Sequence, residues 1–377
     1  MKIVDVTSFY SRNGGGIRTY LESKSRALIA LGCEVHRVVP GARTGSRRAA
    51  DGAMEHTVAG PELPLDRNYR CFGDLREVQR ALYRIGPDVV EVGSHYVLPW
   101  VIRKLAPAGV RVVGFWHSNV PDTFVAPLAR RFLGPAAPAA ERGSWRVVRA
   151  MHARYDATLC ASRVVEQRLR ERAVPRVVRV GLGVDLERFG LRPGVGARGQ
   201  LCYVGRLSMD KEATLLLEAA PRLRAAGLTL RVAGDGPGAA AFRQARDLEY
   251  LGAISSERVR ELLWSSEQCL VPGRYETFSL AAAEALACGT PVVCPRGGAA
   301  AELACGAGAG EPFAAGQVDE LVAAALRIHA LPDAALRERA VAARRFAERE
   351  LSWTSVARRL LAAYGGERVA RREEAVA

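Results

Sequence analysis

The sequence predicts an α/β protein of two Rossmann-like domains facing a central cleft, and three observations carry that prediction. Its 377 residues exceed what one core comfortably holds. Short apolar runs alternate with helical periodicity in both halves of the chain. A stretch rich in Gly and Pro, residues 190–199, divides those halves. Such alternation implies parallel sheets covered on both faces, whose ligands bind beyond the strand C-terminal ends.

In chain order, Ile3–Val6 reads as the first buried strand, with Asp5 interrupting its apolar run, and not as a signal peptide. Ile17–Leu31 is a helix ending near Gly32, and Val35–Val39 is a second strand. A loop follows to about residue 68, with a strand near Met54–Val58. Helices are expected at Asp74–Arg84 and Val97–Lys104, alternating with strands at Asp88–Glu91 and Val110–Trp116. A helix opening at Ser144 repeats Trp145, Val148, Met151 and Tyr155 on one stripe, with Arg146, Arg149 and Arg154 basic beside it. That stripe reads either as core-facing or as a basic amphipathic surface for anionic lipid. Strand Ala157–Cys160 closes the first series. The second runs through strand Gln200–Val204, helix Ala213–Ala226 and strand Leu228–Ala233. Helix Glu257–Ser265, strand Gln268–Val271, helix Phe278–Ala287 and strand Pro291–Cys294 follow. The domains are therefore placed at 1–185 and 200–351, with a linker at 186–199 and a C-terminal helix at about 352–377 returning to the first.

Nearly half the residues are apolar and no run is long enough to span a bilayer, which implies a soluble, cytoplasmic globular protein. The eight cysteines include no Cys-x-x-Cys pair, so buried reduced thiols are expected and a metal site is not. The net charge of +14 comes almost wholly from arginine, since there are four lysines. It fits either compositional bias or attraction to phosphates and a lipid surface. Nucleic-acid binding is disfavoured, because the arginines are dispersed and no recognised module accompanies them.

Four stretches carry chemistry. Asn13-Gly14-Gly15-Gly16-Ile17 lies between a strand and a helix, where glycines let backbone N–H groups approach an anion or simply make a tight turn. It is no dinucleotide fingerprint, because Thr19 stands at the third position. Gly234-Asp235-Gly236-Pro237-Gly238-Ala239 matches that fingerprint only weakly, and Pro237 argues against it. Arg206 and Lys211 leave a strand end as a forked donor and a point charge, a pairing suited to a diphosphate. In Arg274–Leu286, Thr277 is expected to cap a helix that is Leu, Ala and Cys on every side of Glu284. A lone acid there needs partners, and ribose hydroxyls or backbone would serve. Glu276 precedes the helix, on the loop.

With these residues in order, the chain resembles the retaining glycosyltransferases of family 4, which have the GT-B fold. The likeness runs nearly the full length. It is carried by Gly15-Gly16-Ile17, His117–Pro121, Asp156–Ser162, Gly183-Val184-Asp185 with Phe189, and Gly205-Arg206-Leu207 with Lys211. Gly234–Pro237 and Glu276-x7-Glu284 followed by Gly289–Val293 complete it. The resemblance implies that Arg206, Lys211 and the backbone of Phe278, Ser279 and Leu280 hold the donor diphosphate. It implies that Glu284 holds the ribose, that Glu276 contacts the transferred sugar, that Gly15 and Gly16 close on the donor, and that His117 lies near the reacting centre. It also implies that Ser352-Trp353 begins a segment crossing back onto the first domain. Two departures are visible: Ser279 and Glu212 stand where the family usually has Gly, and both are read as small or exposed enough to be tolerated.

No cofactor is implied. The chain lacks the Asp-x-Asp triplet that some sugar transferases use to hold a metal, and Arg206, Lys211 and helix N–H groups would take the metal's place. Within the family, Val35–Val38, Leu63-Pro64 with Tyr69-Arg70, His117–Asp122 and Val180–Phe189 resemble bacterial lipid-directed mannosyltransferases and sulfoquinovosyltransferase-like enzymes. The expected reaction is mannose transfer from GDP-mannose to a lipid or glycolipid, with peripheral attachment to the inner membrane face. A UDP-sugar donor with a glycan or small-molecule acceptor is the rival. Two other classes are a nucleotide-sugar epimerase, which the Glu276/Glu284 pattern speaks against, and a non-catalytic nucleotide-sugar-binding protein, which would need those positions eroded.

Overall fold

The computed structural model describes residues 1–10, 15–63, 66–94, 97–194 and 196–365. The chain forms two compact units. One comprises Met1–Ala161, Val165–Gly183 and the segment from Trp353 onward, and the other comprises Ser162–Val164 and Val184–Ser352. Among the described residues no helix is long and apolar enough to cross a membrane.

The first unit holds strands β1 (Lys2–Val6), β2 (Glu34–Gly41), β3 (Gly45–Arg48), β4 (Met54–Ala59), β5 (Glu62–Leu63), β6 (Asp66–Arg70), β7 (Val89–Val92), β8 (Arg111–Phe115), β9 (Ala157–Cys160) and β10 (Val177–Arg179). Eight of them form one sheet in the order β10-β9-β8-β7-β1-β2-β4-β3, parallel except for the last pair. The central strands are near-continuous apolar runs because helices cover both faces: Val4, Val6, Val90, Val92 and Val112 are all buried. β3 lies inside the stretch read as loop. Its Gly-Ser-Arg-Arg sequence is wholly exposed and pairs antiparallel with β4, a short charged edge that discourages further pairing.

Asp5, the break in the first apolar run, has a tertiary explanation. Lys24, on the helix Gly16–Ala30, is fully buried and bonds both Asp5 and Glu91 from the adjacent strand. Tyr20 donates to Glu91 at 2.9 Å, and Tyr364 donates to its other oxygen. Burial pushes the Asp5 carboxyl up to about 6 against the pull of Lys24. Tyr364 belongs to the helix Trp353–Gly365, so the far end of the chain completes a buried ionic cluster in the first unit. Trp353 packs so tightly on Gly183 that a Cβ there would meet its ring at 2.5 Å.

The helix expected to open at Ser144 begins earlier and spans Ala137–His152. Its stripe is core: Trp145, Val148 and Met151 join Trp116, Cys160 and Leu169 in one cluster. Arg149 donates to the Arg172 carbonyl at 3.3 Å. The apolar stripe therefore covers protein, the core-facing one of the two readings.

The second unit has one parallel sheet, ordered β13-β12-β11-β14-β15-β16, from β11 (Ala197–Val204), β12 (Thr229–Ala233), β13 (Leu248–Gly252), β14 (Ser266–Leu270), β15 (Val292–Pro295) and β16 (Gly310–Phe313). The stretch read as a linker, 186–199, packs on this unit. Arg192 is buried, its N–H bonds the Cys288 carbonyl at 3.0 Å, and its guanidinium bonds the Ser266 carbonyl at 2.7 Å. A Gly/Pro-rich composition signals irregular backbone and does not report whether that backbone finds acceptors. All eight cysteines are free thiols; five are buried, while Cys71 and Cys305 are exposed.

Candidate functional site

In the second unit, the loops after β11, β12 and β14 meet at the strand C-terminal ends, where ligands of parallel sheets bind. The glycines of 234–238 serve this meeting. Gly234 has φ +145, and a Cβ on it would lie 1.8 Å from the Gly205 carbonyl. Leu207 N–H bonds the Asp235 carbonyl at 2.9 Å, and Gly238 N–H returns a 2.8 Å bond to the Leu207 carbonyl. The cluster that looked like a weak dinucleotide signal is thus a close-packed brace for the loop carrying Arg206.

Arg206 itself is exposed, and its guanidinium makes no bond to any described residue. Its carbonyl accepts from the buried Tyr203 hydroxyl at 2.8 Å, so the backbone is anchored while the cation stays available. Lys211 Nζ lies 2.7 Å from Glu276 Oε2. Two residues picked out separately from the sequence are therefore one ion pair across 65 positions.

The neighbouring tie was not legible in the sequence. Glu212 takes the Arg274 N–H at 2.8 Å on one oxygen and Arg274 Nε at 2.7 Å on the other. Glu212 has φ +48, in the left-handed region that favours glycine. Ser279 is left-handed too, with φ +76, and is almost fully buried. The two positions where this chain departs from glycine are thus both positions of left-handed backbone, and Glu212 is half-buried. Tolerance there is a matter of backbone conformation and compensating bonds, not of size or exposure. The recoverable signal was the pair of missing glycines.

Ser279, not Thr277, caps the helix, which runs Leu280–Ala287 and starts two residues later than expected. Its hydroxyl accepts from Ala282 N–H at 3.4 Å, and its left-handed backbone turns the loop into the helix. The first N–H groups of that helix have no intrahelical acceptor. Phe278 is buried, and Leu280 is half-buried. Glu284 then lies little more than one turn in, half-buried beside Ala282, Ala283, Ala285 and Leu286, with no side-chain bond or ion pair among the described residues. Burial pushes its carboxyl up to about 7, opposed only by the charge of Arg188. An acid raised by burial and without a partner among the described residues has its oxygens open to outside donors.

In the first unit, Gly15 caps the helix Gly16–Ala30 with φ +114 and no side-chain bond, and both glycines are exposed. Asn13 and Gly14 lie outside the described residues. His117 follows β8 at the strand's C-terminal end. Its ring stacks on Phe115 at 4.3 Å and meets Tyr20 edge-on at 5.1 Å, which fixes the imidazole plane. Further along that motif Asp122 accepts from Asn119, Arg168 and Trp145. Burial opposes its charge, but those bonds outweigh it and hold the carboxyl below its usual range. The residues behind the narrower likeness are partly structural: His36 bonds His56 at 3.0 Å, and the buried Arg37 guanidinium pairs with Asp51.

Residues 14–188 match the family model described as Glycosyltransferase Family 4, and residues 198–330 match Glycosyl transferases group 1. The chain is 33% identical to a GDP-mannose-dependent alpha-(1-6)-phosphatidylinositol dimannoside mannosyltransferase of Mycobacterium tuberculosis, over 99% of this chain and 98% of that one. It is 26% identical to a GDP-mannose-dependent alpha-mannosyltransferase of Corynebacterium glutamicum, over 80% of this chain and 74% of the relative. Among solved structures, sucrose-phosphate synthase from Thermosynechococcus elongatus matches all of both chains with TM-score 0.75 at 18% identity, a likeness of fold.

Proposed function

Because this chain belongs to glycosyltransferase family 4, we propose that it transfers mannose from GDP-mannose, with retention, to a phosphatidylinositol mannoside or a similar glycolipid. The observation that carries the reading is the near-complete alignment with the mycobacterial lipid mannosyltransferase. The second unit supplies the chemistry such a donor needs. Arg206 is a free fork for phosphate oxygens, and Lys211 is a cation kept in place by Glu276 until an anion shares it. The first N–H groups of the helix Leu280–Ala287 would meet the same diphosphate. Glu284 would accept from the two ribose hydroxyls.

In the reaction the bond from the sugar's anomeric carbon to the diphosphate oxygen breaks, and a bond to the acceptor oxygen forms on the same face. Negative charge grows on the leaving diphosphate, where Arg206 and Lys211 stabilise it without a metal in this proposal. The acceptor hydroxyl's proton passes to the departing phosphate oxygen. Glu276, released from Lys211, would hold the hydroxyls of the transferred sugar, and His117 would lie by the reacting centre. The test is transfer from radiolabelled GDP-mannose or UDP-sugars to phosphatidylinositol mannosides and total lipid extract, with and without a chelator. Label in a mannosylated lipid is expected in both conditions. Absence of transfer to any lipid overturns the acceptor, transfer only from a UDP-sugar overturns the donor, and loss of activity in chelator overturns the metal-free step.

A further inference from the structure

The segment just beyond His117 is built inside out. A single π-helical turn, Pro121–Val125, runs into the α-helix Ala126–Phe132. Its inward residues are small or short: Pro121, Thr123, Ala126 and Ala129 are buried. Its large apolar side chains face out, with Phe124, Leu128, Phe132 and Leu133 exposed to 40%, 48%, 70% and 50%. Phe124, Leu128 and Phe132 recur every four residues, so they form one stripe. A helix that only covers a sheet would bury that stripe and expose its alanines. Clustered exposed side chains of this size mark a surface that meets another phase or partner.

The charge around the stripe identifies which. Arg130 and Arg131 are exposed at its end, and the Arg131 guanidinium lies 5.3 Å from the centre of the Phe132 ring. No acid occurs from Thr123 to Ala140. The nearest one, Asp122, is already committed to Arg168, Asn119 and Trp145. An apolar ridge bordered by arginines, whose flanking acids Asp122 and Glu141 are each paired with an arginine, complements a bilayer whose headgroups are anionic and whose interior is hydrocarbon. We propose that Phe124, Leu128, Phe132 and Leu133 insert into the headgroup–acyl boundary of an anionic membrane, with Arg130 and Arg131 on lipid phosphates. This deepens, and rests on, the lipid-acceptor reading. Only Ser118, Asn119 and Val120 separate His117 from the π-helical turn, so the docking ridge and the reacting end of the first unit are continuous in the chain.

The test is co-sedimentation of the full chain with vesicles of phosphatidylcholine alone and of phosphatidylcholine with phosphatidylglycerol. Wild-type protein should pellet with the anionic vesicles and remain in solution with the neutral ones. Both Leu128→Ser/Phe132→Ser and Arg130→Glu/Arg131→Glu should weaken partition by about tenfold or more, while circular dichroism and GDP binding stay unchanged. Transfer to acceptor dispersed in detergent should persist in both variants. Variants that still bind anionic vesicles as wild type does, alongside normal transfer to dispersed lipid, overturn the docking surface and leave the proposed function standing. Vesicle binding that depends on these residues in a protein that transfers nothing to lipid overturns the proposed function instead. A concentration-dependent dimer in sedimentation velocity that both variants dissolve makes the ridge a self-interface and also overturns the proposal.

Discussion

If Glu284 holds the ribose as proposed, donor binding depends on pH in a direction that its surroundings dictate. Its carboxyl titrates near 7 in the free protein against 4.5 for the unperturbed group, so the folded state prefers the protonated form. Its stability cost is absent below about 4.5, grows between there and 7, and is complete above 7. Ribose hydroxyls donate most strongly to the ionised acid, so nucleotide affinity should rise with pH through about 7 and then level off. Calorimetric titration with GDP from pH 5.5 to 8.5 reads this. The informative quantity is the difference between wild type and Glu284→Gln, because the nucleotide's terminal phosphate also titrates, near pH ~6. The variant should lose this component of the slope and bind about tenfold or more weakly at pH 8. Ser279 makes a second residue-scale prediction. Ser279→Gly relieves a left-handed strain while losing a cap, and should leave the thermal midpoint of the second unit unchanged or higher. Ser279→Ala keeps the strain and loses the cap, and should cost about 1 kcal/mol.

At the scale of elements, two charged ties join the loop after β11 to the loop before the helix Leu280–Ala287: Lys211 with Glu276, and Glu212 with Arg274. They differ in kind. Glu276→Ala removes a group proposed to touch the sugar and should abolish turnover, by about 100-fold or more, while the circular dichroism spectrum is kept. Glu212→Ala touches no proposed ligand and frees the Arg274 backbone and side chain. It should raise KM for the donor several-fold with a smaller change in kcat, and Glu212→Gln should recover part of the loss. Steady-state kinetics on both variants separates the roles. Equal collapse of kcat in Glu212→Ala and Glu276→Ala would contradict the division.

Across the whole molecule, the chain's last described helix is an integral part of the first unit. Tyr364 bonds Glu91 inside the Lys24 cluster, Trp353 packs on Gly183, and Arg359 donates to the Val180 carbonyl at 2.8 Å. Tyr364→Phe leaves a buried carboxylate short of one donor and should cost about 1.5–3 kcal/mol in denaturant unfolding. Removal of everything after Ser352 should leave the second unit able to bind nucleotide while the first loses its cooperative transition. An unchanged first transition after truncation would show that the cluster is complete without Tyr364.

Much of this is legible in the order of the residues alone. Apolar runs of four to eight residues and helical periodicity are local properties, so the two parallel α/β series, and the lone acid at 284 on an otherwise apolar helix, could be read directly from residue order. The full-length order of motifs was enough to indicate the family. What depended on the fold was every choice between partners far apart in sequence. Periodicity found the stripe of Trp145, Val148 and Met151 but could not say that it covers protein while Phe124, Leu128 and Phe132 are left outside. It marked Asp5 as an interruption, although only the sheet brings Lys24 and Tyr364 to it. The motifs and the family likeness located Lys211 and Glu276 without pairing them, and marked two absent glycines without the left-handed backbone that explains them. Burial and pairing depend on which strands lie side by side, and that order, β11 between β12 and β14, is set by long-range packing and not by any local pattern of residues.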